Sequence, residues 1–198
     1  MEKVIEYKAS TSKPVVMSLS LGGSSPLNPT SPLCLVFKAA YEVGVVAFVA
    51  AGNDNADTCT TEPANCPYVV AVSSADSNDE KSWFSNHGTT CSDITSYGSH
   101  VYSASAQKLT ALTAMSGTSM ATPTAAGVYA TIASAQHKVS GGQFTKADAS
   151  QTVTQMMCSA NDEIITGLDG IPLIQSKCGD ETQSSCSAYP GMECYADR

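Results

Sequence analysis

The sequence predicts an α/β fold: a mainly parallel sheet flanked by helices on both faces. Strand and helix patterns alternate along the first third of the chain, in "KPVVMSLSLGG", "SPLCLVFKAAYEVG", "VVAFVAAGN" and "YVVAVSSAD". That order builds a parallel sheet with right-handed crossovers. The longest apolar run, Val45 to Ala51, has the length and composition of a buried strand and not of a membrane span. The chain has 198 residues, 42% of them hydrophobic, enough for one well-buried domain.

Each element has a local reason. Residues 1–9 read as the end of a helix. Val15 to Leu21 read as a strand closed by Gly22 and Gly23. Pro26, Pro29 and Pro32 punctuate a loop. Ser31 is placed to cap a helix, with Pro32 at its first position and Gly44 as its stop. Val45–Ala50 and Tyr68–Ser73 are the next two strands. Residues 74–116 are polar and turn-rich, with short strand candidates near Ile94 and Val101. Thr118 to Gln136 read as an alanine-rich helix and 145–158 as a second, amphipathic one. The composition turns polar, with glycine and cysteine, from Gly179 onward. This divides the chain into a domain over 1–178 and a cysteine-containing tail over 179–198.

The net charge of −8 and pI near 4.7 argue against nucleic acid and anionic membrane surfaces as partners. No signal peptide opens the chain: "MEKVIEYKAS" has mixed charge and no apolar centre. Eight cysteines, at 34, 59, 66, 91, 158, 178, 186 and 194, nevertheless suggest disulfides and a secreted context. A start upstream of Met1 reconciles the two. Metal binding by these cysteines lacks a C-x-x-C pair. Cys34 and Cys158, in helical segments, also suit unpaired buried thiols. The one N-x-S/T match, Asn28-Pro29-Thr30, is disabled by its proline.

Three stretches carry candidate chemistry. In "MSGTSMATPTAAG", Ser119 opens a helix among small residues. Small neighbours admit a substrate backbone, and a helix N-terminus favours developing negative charge. Taken alone, a serine there is more often a cap than a nucleophile. In "AAGNDNAD", Asn53 follows a strand on a tight turn opened by Gly52, where its amide can donate to an oxyanion. It equally suits an ordinary turn residue. In "SLSLGG", a strand end closed by two glycines offers an edge to an extended peptide, or simply terminates.

Together these stretches resemble the subtilases, the subtilisin-like serine peptidases, and most closely their proteinase K-like branch. "GTSMATP" is similar to the family's nucleophile motif, and "SLGG", "AAGN" and "FSNHG" follow the family's order over roughly residues 10–175. The resemblance implies a partial subtilisin-like fold and a secreted serine endopeptidase acting on protein or peptide substrates. It implies Ser119 as nucleophile and Asn53 as the oxyanion donor. It assigns Ser20, Leu21 and Gly22 to pairing with the substrate backbone. Ala50, Ala51 and Gly52 become a wall of the pocket for the residue before the scissile bond. It also implies a structural calcium ion held by Asp93 and the carbonyls of Pro67 and Val69, a donor set that suits calcium. A Cys59–Cys91 disulfide is implied in the same way.

Departures from the family are equally informative. The triad needs an aspartate and a histidine, which in subtilases precede the serine. Only 19 residues precede Ser20, without histidine or aspartate. The sequence therefore reads as the C-terminal portion of a catalytic domain whose N-terminal part is the expected partner. Alone it is expected to be inactive. His87, in "NHGTT", echoes the family's histidine motif but lies after "AAGN", where tyrosine is usual. His100 and His137 lack a motif and read as surface residues. Thr124 replaces a histidine outside the triad, and "TSYGS" at 95–99 replaces an A-P-G turn. The alternative reading is a non-catalytic truncated subtilase, a peptide-binding module or a remnant.

Overall fold

A computed structural model describes residues 1–108, 110–158, 160, 167 and 170–174. The proposed tail at 179–198 lies outside the described residues, as do Cys178, Cys186 and Cys194.

Four parallel strands form the central sheet in the order β1-β3-β5-β6: β1 (Val15–Leu19), β3 (Val45–Ala50), β5 (Val70–Ala75) and β6 (Ile94–Tyr97). Their registers start from Val15 opposite Val45, Phe48 opposite Val70 and Val72 opposite Ile94. β1 ends two residues before the expected Leu21, freeing Ser20 and Leu21 from the ladder. β5 runs two residues later than the expected Tyr68–Ser73. Two antiparallel ribbons flank this sheet. One joins β2 (Gly23–Ser24) to β4 (Thr61–Glu62), and the other joins β7 (Val101–Ala104) to β8 (Leu112–Met115).

Helices cover both faces. Helix α2 (Pro32–Glu42) starts as its sequence dictates, with the Ser31 hydroxyl accepting from the Cys34 N–H and Pro32 at the first position. It packs with α1 (Glu2–Ala9) near Val45, Ala47 and Val49 of β3. On the other face, Val46, Phe48, Val70, Val72 and Ile94 meet α3 (Thr118–Ser140) and α4 (Lys146–Cys158). Every residue of β3 is buried, because alternate side chains feed opposite cores. Each such Val or Phe contributes roughly 2–3 kcal/mol, which makes β3 a firm floor for the loop that follows it.

The two bridges found among the described residues are Cys59–Cys91 and Cys34–Cys66. The first joins Cα atoms 5.2 Å apart, as expected from the resemblance. The second overturns the reading of Cys34 as an unpaired thiol. Cys66 comes to it from the turn after β4, a placement that no local pattern signals.

Candidate active site

The carboxyl ends of β1 and β3 and the amino end of α3 meet around a cleft of about 290 Å³. Ser20, Leu21, Gly22, Ala50, Gly52, Asn53, Asp54, Thr61 and Ser119 are among its walls. Seven of the eight residues proposed for catalysis and peptide binding thus share one cleft. Ala51 does not: it is fully buried behind the wall, with its carbonyl accepting from Asn86 Nδ2 at 3.0 Å.

Helix α3 begins at Thr118, with Gly117 at the cap position and no side-chain cap. The cap comes from Asn53 instead. Its Oδ1 accepts from the Thr118 N–H at 2.9 Å and from the Thr118 hydroxyl at 3.0 Å. Because that N–H needs an acceptor, the amide is oriented with Nδ2 facing away from it. A side chain at Gly117 would place its Cβ 3.6 Å from Ser119 N and 3.8 Å from Asn53 Nδ2. Glycine leaves that space open between two nitrogen donors at a helix N-terminus, where first-turn N–H groups lack intrahelical partners. The arrangement can hold an anionic oxygen.

Ser119 is half-buried and sits in the first turn. Pro123 lies four residues on inside the same helix and has no N–H to offer the Ser119 carbonyl. Ser20 supplies the missing donor: its hydroxyl donates to Ser119 O at 2.7 Å. This side-chain contact was not foreseen for Ser20. It follows from a proline at i+4 of the serine, a pattern legible in "SMATP".

Gly98, at the end of β6, holds the other side of the helix start through its carbonyl, which accepts from the Gly117 N–H at 2.8 Å. A Cβ at Gly98 would lie 2.6 Å from Gly117 O. The departure "TSYGS" thus still closes against the turn that opens α3.

None of the three histidines lines the cleft. His87 is tied by backbone bonds to the Ala56–Thr58 segment. His100 is exposed. His137 lies near the far end of α3, about 27 Å from Ser119 at 1.5 Å per residue. It is half-buried edge-on against Phe144, not on the surface as expected.

A second cleft, of about 330 Å³, is lined by Pro67, Val69 and Asp93 together with Leu27, Pro29 and Thr90. Asp93 is largely buried, and its Oδ2 accepts from the Ala71 N–H at 2.7 Å. Pro67, Val69 and Asp93 thus line one cleft, and a carboxylate with carbonyl oxygens is the class of donor that suits calcium. A grouping of Cys34, Cys66 and Glu62 also has metal-ligand spacing among the described residues, but its sulfurs are joined in a disulfide.

Against this geometry stand the comparisons with known proteins. The model of the subtilase family matches residues 2–172. The chain belongs to the subtilase family. The subtilisin-like serine protease Pen c 2 of Penicillium citrinum is 40% identical over 129 residues, 65% of this chain and 27% of the relative. The extracellular serine proteinase of Thermus sp. (strain Rt41A) is 39% identical over 118 residues, 60% of this chain and 28% of the relative. A crystal structure of a cold-adapted subtilisin-like serine proteinase superposes with a TM-score of 0.68 at 31% identity. That match covers 88% of this chain and 60% of the other. This subtilase chain spans about a quarter of the length of the curated relatives it matches.

Proposed function

We propose that this subtilase chain supplies the nucleophile, the oxyanion donors and the peptide-binding cleft of a secreted serine endopeptidase. One observation carries the reading. Asn53, oriented by Thr118, and the first-turn N–H of Ser119 face one space at the head of a cleft bordered by the Ser20–Gly22 edge.

In this reading a peptide substrate pairs along Ser20, Leu21 and Gly22. The side chain before the scissile bond lies against Ala50 and Gly52. Ser119 Oγ adds to the scissile carbonyl carbon as a histidine takes its proton, and the oxyanion is held by Asn53 Nδ2 and Ser119 N–H. The amine leaves with that proton, and water then hydrolyses the acyl-enzyme. The histidine and its orienting aspartate come from residues outside this sequence. The extracellular assignment rests on the two disulfides and on the kinship with an extracellular proteinase.

A fluorophosphonate probe tests the assignment. The 198-residue chain should not label at Ser119. A chain lengthened at its amino end by a subtilase segment bearing the aspartate and histidine should label, and Ser119→Ala should abolish it. There, Asn53→Ala should lower turnover roughly a hundred- to a thousandfold, the loss known for the equivalent change in subtilisin. Strong labelling of the 198-residue chain, or none of the lengthened one, would overturn the reading.

Calcium belongs to the same proposal, with Asp93 and the carbonyls of Pro67 and Val69 as its holders. Millimolar calcium should raise the Tm of the native chain by mass action, and Asp93→Asn should remove that rise. An unchanged Tm in both would count against the site.

A further inference from the structure

Asn86 takes no part in the chemistry above, yet its side chain is wholly buried beside the cleft. All four hydrogen-bonding positions of its amide are filled. Nδ2 donates to Ala51 O and to Thr61 Oγ1, both at 3.0 Å. Oδ1 accepts from the Asp54 N–H at 2.9 Å and the Ala56 N–H at 3.1 Å. Its own backbone N–H donates to Gly52 O at 3.0 Å.

These partners share a pattern. Ala51 and Gly52 precede Asn53, while Asp54 and Ala56 follow it. We propose that Asn86 is the positioning residue for the oxyanion donor, gripping the backbone on both sides of Asn53. The inference rests on the reading of Asn53 given above.

The need for such a grip follows from the surroundings of Asn53. Its side chain is exposed on a loop, so core packing does not place it. Its Oδ1 bonds orient the amide but do not fix the backbone that bears it. An oxyanion donor acts only when held in place before charge develops. A displacement of about 1 Å can cost on the order of a hundredfold in rate. Asn86 sets that backbone from a rigid base, because its own carbonyl accepts from Ser73 Oγ on β5 at 2.9 Å. The fit is tight: a Cβ on Gly52, at φ 111°, would lie 2.2 Å from Asn86 Nδ2. Through Thr61 Oγ1 the same amide reaches a further residue of the cleft lining. One side chain therefore sets the oxyanion donor, the Ala50–Gly52 wall and Thr61 relative to one another.

Two measurements test the proposal. The first uses the 198-residue chain and needs no activity. In Asn86→Ala, the Asn53 side-chain amide resonance should shift and the Asp54 and Ala56 amides should lose exchange protection. Amides of β1, β3 and β5 should stay protected. An unmoved Asn53 resonance would overturn the proposal. Should Asn86→Ala fail to fold, Asn86→Asp keeps both acceptor bonds while removing both donors, and is held to the same criterion at Asn53.

The second measurement uses the lengthened, catalytically complete enzyme. Asn86→Ala should lower kcat about ten- to a hundredfold and move KM by less than about twofold. On an Asn53→Ala background it should change kcat by less than about twofold, since its effect runs through Asn53. Additive losses, or a raised KM with unchanged kcat, would overturn the assignment. If the lengthened native enzyme does not turn over at all, the catalytic reading fails and the resonance measurement alone decides.

Discussion

At its amino end, helix α3 meets oxygen and nitrogen atoms; further along, it meets rings and methyl groups. Thr118 bonds to Gly52 and Asn53, and that loop is bonded in turn to a buried polar network of Thr58, Ser73, Ser74, Ser85, Asn86 and Ser92. Around Tyr129 and Ala133, the neighbours are Phe48, Val153, Met156 and Phe144. The Tyr129 and Phe48 rings lie 5.5 Å apart. Hydrogen bonds have preferred lengths and directions, so they fix where an atom sits. Apolar contact is non-directional and tolerates similar shapes. The polar end is therefore built for position and the apolar end for cohesion.

The sharpest way to break this contrast is Gly52→Ala. The added methyl meets Asn86 Nδ2 in a backbone region that side chains rarely adopt. We expect a loss of roughly 2–3 kcal/mol in urea unfolding and loss of Ser119 labelling in the lengthened enzyme. A silent substitution would mean that the polar end is no more demanding of position than the apolar one.

A smaller effect is expected at the start of α4, below the apolar end. Thr145 and Asp148 form a capping-box arrangement. Asp148 Oδ2 accepts from the Thr145 N–H at 2.7 Å and from its hydroxyl at 2.6 Å. These bonds, that of the hydroxyl first, hold the carboxyl below its ordinary value near 3.8. A carboxyl with a lowered folded value stabilises the fold above its unfolded value and loses that contribution as pH falls through the folded one. Asp148→Ala should cost about 1 kcal/mol at neutral pH. The gap from the native chain should close as pH falls below 3.8. A gap independent of pH would remove the charge from the explanation.

The smallest effect sharpens the contrast from the apolar side. The Tyr129 hydroxyl is buried with no hydrogen-bond partner among the described residues, and burial raises its pKa. Tyr129→Phe should leave stability unchanged or raise it by up to about 1 kcal/mol in thermal unfolding. A marked loss would show a polar requirement at the cohesive end.

Legibility in the sequence divides along the same line. Ser31, Pro32 and the β3 run were readable because caps and apolar runs are local signals. Ser119, Asn53 and Gly52 were readable as neighbours in one cleft because their motifs are short and contiguous. The β2–β4 ribbon escaped notice, since strands of two residues have no periodicity. Asn86 stood in plain view within "FSNHG", but its bonds to residues 51, 54 and 56 cross 30 or more positions. Lys8 defied its residue type. It is buried, with Nζ donating to the carbonyls of Phe144 and Lys13, an arrangement that only the packing of α1 beside the start of α4 creates. Cys34 and Cys66 share no local pattern, and only the fold brings them together.

The contact between Ser20 and Ser119 also bears on the order in which the molecule comes together. Their positions are 99 residues apart. Pro123 denies the serine's carbonyl its usual partner inside the helix, so the first turn of α3 is completed by a group from the end of β1. Contacts of such long sequence separation form only after the intervening chain has been gathered in, at an entropic cost. A nascent α3 segment thus begins with the Ser119 carbonyl open until the sheet has assembled. The chain ties completion of that turn to the arrival of a residue 99 positions away, so a half-folded copy carries an unfinished helix start.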